Sequence, residues 1–468
     1  MVAIFAGALL SAAFEPFALW FLAPISYAIF FTLLKKSKRP IFTAFLFGFT
    51  SNAIILYWTG TYVGAIPWIL LSILQSAFYL PLGYIAKKVN NIFWLIPASL
   101  VLEEVRARFP FQGFGWTRIA FSQVAAPYAH LVAFGGVALL TFATLLLAYL
   151  LIVFVHGRKK IIVLAGIFSI IVLPDLLPKN DSPQFSMQVL GIQGNTPERG
   201  LNFNERARAV FDLHLAATYK FAAEKKFDLI VWPENAVDID PFANADVGRD
   251  LKSLAIKMGT PVIVGAVLNS RGAIENASIM YSTKGVVDSI YIKRHITPFG
   301  EYLPLRSIAK AVSPYAALVN DFSAGKERIV HRVGRYNLGP IICFELIDDG
   351  LVRDMAIHSG ALIVQTNSAT FAGTSESAQQ LQITRLRAIE HSRYILSVST
   401  VGISALIDNN GAVQEISEEN RADYINGKLE ISNYLTFSDR IGGAAPLIVI
   451  IISIAFALLA RKTKWIAK

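Results

Sequence analysis

Cysteine is almost missing from this chain: Cys343 stands alone among 468 residues. No intrachain disulfide can form, so export cannot be read from a disulfide framework. The seven histidines, at 130, 156, 214, 295, 331, 358 and 391, show no metal-ligand spacing, and no glycine loop of the phosphate-cradling kind occurs. Chemistry without a metal or a cofactor is therefore expected. Internal repeats and low-complexity linkers are lacking as well. Acids are scarce over part of the chain: 1–175 and 461–468 together hold 16 Lys/Arg against Glu15, Glu103, Glu104 and Asp175, leaving 27 basic and 29 acidic residues for 176–460. The net charge of +10 thus sits with the apolar segments, and the middle region is slightly acidic. That placement argues against nucleic acid as a partner.

What the chain has in excess is apolar. Hydrophobic residues make up 54% of it and mean hydropathy is +0.49, too high for an ordinary soluble protein. Apolar stretches at 2–14, 17–34, 41–58, 64–86, 91–105, 124–155, 161–174 and 442–460 predict eight membrane segments. The first stops at Glu15-Pro16, short of the ~17–25 residues a spanning helix needs. No basic stretch precedes it, so it does not read as a cleavable signal.

Basic residues cluster between alternate helices: Lys35, Lys36, Lys38 and Arg39; Lys87 and Lys88; Arg158, Lys159 and Lys160; then Arg461, Lys462, Lys464 and Lys468. The positive-inside rule makes these places cytoplasmic. Eight spans then leave both termini inside and 176–440 on the outer face. Arg106, Arg108 and Arg118 fall in an outer loop, where they read either as lipid-headgroup contacts or as interfacial anchors. The expected division is a seven-helix membrane domain at 1–175, an outer-face domain at 176–440, and a last helix with a basic tail at 441–468.

The middle region reads as one α/β domain. Short β-branched runs recur at 187–192, 229–232, 262–267, 279–282, 286–292, 338–343, 362–366, 395–399 and 403–407, with helical patterns at about 203–226, 246–258, 349–358 and 375–392. Hairpin signals within 262–292 and at Gly334 suggest a mixed sheet. Asn276-Ala277-Ser278 matches a glycosylation sequon, a triplet common by chance.

Three polar residues each end one of these runs: Glu234 after Trp232-Pro233, Lys293 after Tyr291-Ile292, and Cys343 after Ile341-Ile342. Strand ends are where α/β sheets collect chemistry. A thiol is mostly protonated near neutral pH and needs a base to become a nucleophile. A carboxylate can take that proton, and an ammonium can stabilise an oxyanion. Singly, each has a plainer reading: a small buried hydrophobe for the Cys, a turn cap for the Glu, a solvated strand end for the Lys. Their joint occurrence favours a site.

The segments Val231-Trp232-Pro233-Glu234, Lys293-Arg294-His295-Ile296-Thr297-Pro298-Phe299-Gly300-Glu301 and Cys343-Phe344-Glu345 resemble the nitrilase superfamily, and most closely its membrane branch, the apolipoprotein N-acyltransferases. The stretch 108–116, Gln193-Gly194-Asn195, Arg387-Ala388-Ile389-Glu390 and Gly402-Ile403-Ser404 also look like that family. The resemblance implies a multi-span α-helical membrane domain plus an α/β nitrilase-like αββα sandwich. It makes Glu234 the general base, Lys293 the oxyanion-holding lysine and Cys343 the nucleophile, with Glu301 and Glu345 as pocket acids and the Phe344 backbone as oxyanion support. It further implies an acyl thioester at Cys343, a phospholipid acyl donor, a diacylglyceryl apolipoprotein acceptor and a place in the bacterial inner membrane; the oligomeric state is left open, with a monomer as the default.

Some positions depart from that pattern. Phe344 stands where the family usually has Tyr, Asn367-Ser368-Ala369-Thr370-Phe371-Ala372-Gly373 lacks an acid and an indole, and the nearest aromatic after Gln193-Gly194-Asn195 is Phe203. Phe203, Trp116 and Arg118 are the candidate substrate contacts. Trp116 belongs with Phe109, Phe111 and Phe114 to an aromatic-rich loop that either seats acyl chains or forms an interfacial belt. Two rivals remain: a membrane-tethered amidohydrolase that passes its acyl group to water, and a non-enzymatic transporter or lipid-binding protein. The intact Glu, Lys and Cys set argues against the second, and membrane spans would be superfluous for hydrolysing small soluble amides.

Overall fold

A computed structural model of the protein describes residues 1–156, 160–172, 174, 183, 185–200, 208–222, 226–270, 272–312, 315–316 and 319–460. The chain forms two compact units, one of Met1–Lys179 with Thr436–Lys468, the other of Asn180–Leu435.

The first unit is helical. Among the described residues its α-helices are Val2–Ser11, Leu22–Lys36, Pro40–Ile55, Ala65–Ala77, Leu80–Lys88, Leu95–Arg106, Val132–His156, Lys160–Val172, Phe437–Ile441 and Ala445–Leu459. Pro40 opens its helix, where the missing N–H costs nothing. Lys35 and Lys36 close theirs, next to the negative end of the dipole. Aromatic packing ties helices together: the rings of Phe30 and Phe47 stack at 3.9 Å, and Tyr27 meets Phe47 edge-on at 5.5 Å. Among the described residues three stretches are long and apolar enough to cross a membrane, Ala65–Lys88, Ala129–His156 and Phe437–Leu459. The apolar helices Val2–Ser11, Pro40–Ile55 and Lys160–Val172 are shorter. Breaks shorten them relative to the apolar runs of the sequence: Pro40–Ile55, for example, gives way to a 3₁₀ turn at Tyr57–Gly60.

The second unit is built on twelve strands among the described residues. One mixed sheet contains β1 (Phe185–Gln193), β2 (Leu229–Val231), β3 (Val262–Ser270), β4 (Ala273–Tyr281), β5 (Val287–Ile292) and β12 (Asp423–Ile431); the other contains β6 (His331–Val333), β7 (Tyr336–Ile342), β8 (Ala361–Thr366), β9 (Ile395–Ser399), β10 (Ala405–Ile407) and β11 (Val413–Ile416). The spatial orders are β12-β1-β2-β3-β4-β5 and β11-β10-β9-β8-β7-β6. In each sheet three central strands run parallel, β1-β2-β3 and β7-β8-β9, and the outer pairings are antiparallel.

Alternation of side chains explains the layering. Met187, Val189, Leu229, Val231 and Ile263 point one way and join Leu338, Ile363, Leu396 and Val398 of the other sheet in one core. Their neighbours Leu190, Ile192, Ile230, Val262 and Val264 point the opposite way, onto Phe211 of helix Ala209–Phe221 and Leu251 and Leu254 of helix Ala245–Met258. Helix Asp349–Ile357 covers β7 and β8, and Glu376–His391 covers β9 and β10. Helix, sheet, sheet and helix follow in order, as the resemblance implied. Each fully buried Val, Leu or Ile stabilises this stack by roughly 1.5–3 kcal/mol.

β6, β11 and β12 carry no run that the sequence analysis marked. β12 contains Asn426-Gly427, ordinarily a turn signal, yet it pairs unbroken with β1 from Phe185↔Ile431 to Gln193↔Asp423. A Cβ on Gly427 would lie 2.5 Å from the end of the Leu406 side chain, which would have to shift to admit any other residue. Tertiary pairing overrides the local preference.

Candidate active site

Three strand ends bring Glu234, Lys293 and Cys343 together. Glu234 follows β2, and its backbone lies so close to β3 that a Cβ on Gly265 would fall 2.7 Å from the Glu234 Cα. Lys293 follows β5, its N–H donating to the Asn276 carbonyl of β4 at 2.8 Å. Cys343 follows β7 and opens a 3₁₀ turn, Cys343–Ile347, with φ +50°. A non-glycine residue in that left-handed region is strained by about 1–3 kcal/mol and persists only where the surroundings fix it.

The fixing group is Glu345. One of its carboxylate oxygens accepts from the Tyr291 hydroxyl at 2.7 Å, the Arg294 N–H at 2.7 Å and the His295 N–H at 3.2 Å; the other accepts from the Ile342 N–H at 2.8 Å. A single buried side chain thus fastens the end of β5 to the Cys343 turn. Arg387 adds a second brace, donating Nε–H to the Leu346 carbonyl at 2.9 Å and pairing with Asp349 and Glu390.

Charge is arranged around Lys293, which is 1% exposed. Its ammonium lies 2.7 Å from Glu301 Oε2 and 3.5 Å from Glu234 Oε1, and 3.3 Å from the Thr297 hydroxyl. Asn276 donates its Nδ2 amide to Glu234 Oε1 at 2.7 Å and to Glu301 Oε1 at 2.9 Å. Burial opposes the lysine charge, but Glu301 and Glu234 outweigh it and raise the ammonium's affinity for its proton. Glu301 is correspondingly held below the usual carboxylate range: burial works against its charge, and Lys293 and Asn276 prevail. Glu234 moves the other way. Burial and the Glu301 charge lift it despite Lys293, Asn276 and the Cys343 thiol.

The thiol is half-buried and receives an N–H from Gln380 Nε2 at 3.5 Å. Burial first, then the negative charge of Glu234, push its pKa well up, and Lys293 only partly offsets this. Cys343 therefore rests as a thiol with a carboxyl of raised basicity beside it. Such a pair transfers a proton on demand rather than storing a thiolate. Among the described residues no group of three or more His, Cys, Asp and Glu is arranged to hold a metal ion.

The remaining expected residues lie as follows. Phe344 is buried in the 3₁₀ turn, its ring edge-on to His295 at 5.3 Å. Phe203 lies outside the described residues. Trp116 and Arg118 belong to the helical unit, where both are buried: the Trp116 ring lies 5.1 Å from Trp58, and Arg118 pairs with Glu104. Arg106 is buried too, bonded to Thr117, so of the three loop arginines only Arg108 has an exposed side chain. Burying an arginine demands a partner, and Glu104 meets that demand for Arg118; a headgroup role for Arg106 or Arg118 is thereby displaced by an internal one.

Asn276, Thr297, Glu376 and Gln380 were not singled out as site residues. Asn276 appeared only as a sequon, yet it is 2% exposed and its amide is committed to two carboxylates. Thr297 sat inside the Lys293 motif with nothing to mark it. Gln380 and Glu376 lie on the helix expected at about 375–392, where none of the polar residues had been marked.

Comparison with known proteins agrees with this architecture. The family model for the apolipoprotein N-acyltransferase N-terminal domain matches residues 6–150, and that for carbon-nitrogen hydrolases matches residues 192–433. A protein of Mycolicibacterium smegmatis named apolipoprotein N-acyltransferase is 30% identical, the match covering 98% of this chain and 84% of the relative. Proteins of the same name from Pseudomonas aeruginosa, strain UCBPP-PA14, and Geobacter metallireducens are 26% and 27% identical, over 88% and 94% of this chain and 86% and 91% of theirs. With a helical unit matched at one end, a two-sheet hydrolase fold matched in the middle and a relative aligned over nearly the whole length, this chain belongs to the apolipoprotein N-acyltransferase family, acyltransferases built on the carbon-nitrogen hydrolase fold.

Proposed function

We propose that the protein moves a fatty acyl chain from a membrane phospholipid, through a thioester on Cys343, to the α-amino group of the N-terminal diacylglyceryl-cysteine of an apolipoprotein. One observation carries this reading: a protonated thiol sits beside a carboxyl of raised basicity, while the ammonium of Lys293 is held by a separate acid, Glu301.

Glu234 takes the proton of Cys343, and sulfur attacks the ester carbonyl. Lys293 and the Phe344 backbone N–H stabilise the oxyanion, since donors aimed in advance in a dry pocket are worth far more than solvated ones. Glu234 then passes its proton to the departing glycerol oxygen, leaving acyl-Cys343 and a lysophospholipid. In the second half the neutral α-amine attacks the thioester, nitrogen gives up a proton through Glu234 to sulfur, and the thiol is restored. Glu301 keeps Lys293 charged, and Glu345 holds the nucleophile's turn.

Both substrates carry acyl chains, and moving one into water costs about 0.8 kcal/mol per CH₂. In this reading the helical unit, counted as eight membrane segments, keeps the chemistry at the bilayer. The α/β unit faces the outer side of the bacterial inner membrane and both termini are cytoplasmic, as the distribution of Lys and Arg suggests.

The test is a two-step assay. The purified protein is mixed with phospholipid and the Cys343 peptide is weighed for a fatty acyl increment, with Cys343→Ala as control; a diacylated lipopeptide is then added. Acylation followed by discharge onto the lipopeptide is expected. No adduct overturns the proposal, and release of free fatty acid in place of transfer would make the protein a hydrolase.

A further inference from the structure

A buried acid is left unused by that mechanism. Glu376, the first residue of helix Glu376–His391, is 3% exposed and forms no ion pair among the described residues. It lies one turn before Gln380, whose amide donates to Cys343 Sγ. Residues four apart on a helix share a face, with Cβ atoms about 5–6 Å apart, so Glu376 and Gln380 address the same thiol. The side-chain hydrogen-bond partners of the Glu376 carboxyl are neutral hydroxyls, those of Ser368 and of Ser377, the latter at 3.5 Å. Its charged or titratable neighbours are Glu234, Glu419 and the Cys343 thiol, each of which is negative when ionised. The nearby cation, Lys293, is already held by Glu301. Two serine hydroxyls only partly compensate a buried carboxyl whose charged neighbours are all acids, and the arrangement lacks one positive charge.

Resting on the acyl-transfer reading above, we propose that Glu376 supplies the acceptor half-site: its carboxylate receives the α-ammonium of the incoming lipoprotein and takes one proton from it, delivering a neutral amine to the Cys343 thioester. The balance closes. The ammonium loses one proton to Glu376, nitrogen forms the amide bond as the carbon–sulfur bond breaks, and its second proton reaches sulfur through Glu234. Glu376 later sheds its proton to water. Burial, aided by the charge of Glu234, lifts the carboxyl to about 7, close to the ~7.7–8.0 of an α-amine, so the transfer is nearly level in energy. Donors play no part in this role, because a phospholipid ester brings no ammonium to the scissile bond.

The two half-reactions separate the idea from its alternatives. Full-length wild type, Glu376→Gln and Glu376→Asp are loaded with phospholipid, and Cys343 acylation is followed by mass. The thioester is then discharged either with a diacylglyceryl-cysteine lipopeptide or with hydroxylamine, a small nucleophile uncharged at neutral pH. For Glu376→Gln, acylation and hydroxylamine discharge stay within about twofold of wild type, while lipopeptide discharge at pH 7 falls about tenfold or more, the effect of losing one charge-assisted hydrogen bond. Its rate then climbs with the fraction of free amine, recovering above pH ~8; Glu376→Asp regains part of the loss. Unchanged lipopeptide discharge overturns the proposal. Equal slowing with both nucleophiles, or a fall in thermal stability that matches the activity loss, assigns Glu376 to packing and overturns it too. A wild type that never forms the thioester removes the acyl-transfer reading itself, a different failure from a loaded enzyme indifferent to Glu376.

Discussion

Lys293 lies nearer to Glu301, at 2.7 Å, than to Glu234, at 3.5 Å. Two acids thus divide one lysine unequally. Glu301, below the usual carboxylate range, is a permanent counter-charge, and Glu234, above it, is free to gain and lose a proton. Replacing Glu301 by Gln should push the ammonium onto Glu234 and weaken it as a base. Cys343 acylation is expected to fall by about 10²-fold, measured as the single-turnover rate of thioester formation; a change under threefold would remove Glu301 from the charge balance.

The pH dependence of acylation follows from the same division. Glu234 works as a base only when ionised, and burial raises its pKa, so the rate should climb with pH along a limb displaced above the ordinary ~4.3 of a glutamate. Because the Lys293 ammonium is strengthened, no alkaline loss is expected below the ordinary lysine value of about 10.4. A single-turnover profile with its acid limb at or below pH ~4.3 would contradict the assignment.

Glu345 is expected to matter first to stability. It satisfies three N–H groups and one hydroxyl in a fully buried place. Glu345→Ala leaves those donors without acceptors and should cost roughly 2–4 kcal/mol. Thermal unfolding of the purified protein reads this directly, and acylation should fall with it because the Cys343 turn loses its brace. An unchanged melting profile would show that the turn is held by Arg387 alone.

Asn276→Asp should be more damaging than Asn276→Ala. The substitution puts a third carboxyl against Glu234 and Glu301, where the amide now donates to both. Like charges at that distance raise the pKa of Glu234 further, so acylation at pH 7 should drop about 10²-fold and recover partly toward pH 9. Equal loss at both pH values would point to distortion instead of titration.

Why these residues differ in legibility is a matter of contrast. Glu234, Lys293 and Cys343 interrupt apolar strands, and a polar residue at the end of such a run is conspicuous in sequence. Asn276 sits within β4 and stood out only as part of a chance sequon until the sheet placed it between two acids. Glu376 and Gln380 fall in Glu376-Ser377-Ala378-Gln379-Gln380, a polar helix start that reads as solvent-facing, and only packing over β9 and β10 buries it. Most of the longer strands were visible because β-branched runs announce them; β12, nine residues long, was not, because Asn426-Gly427 reads as a turn. β6 and β11, three and four residues long, are too short to show an alternating pattern, and only their pairing with the neighbouring strands β7 and β10 defines them. The helical unit was legible as apolar runs, but not the points at which 3₁₀ turns break them.

β1 and β12 share a register in which Phe185 is opposite Ile431. Directly opposed residues of antiparallel strands are about 4.5–5.5 Å apart at Cα, so the α/β unit begins and ends at nearly one point. To the chain on either side, the whole domain spans no more distance than a hairpin turn. The cost of closing so long a loop is met inside the domain by its own folding. In effect the α/β unit is a loop closed on itself, its first and last strands paired side by side at one edge of a sheet.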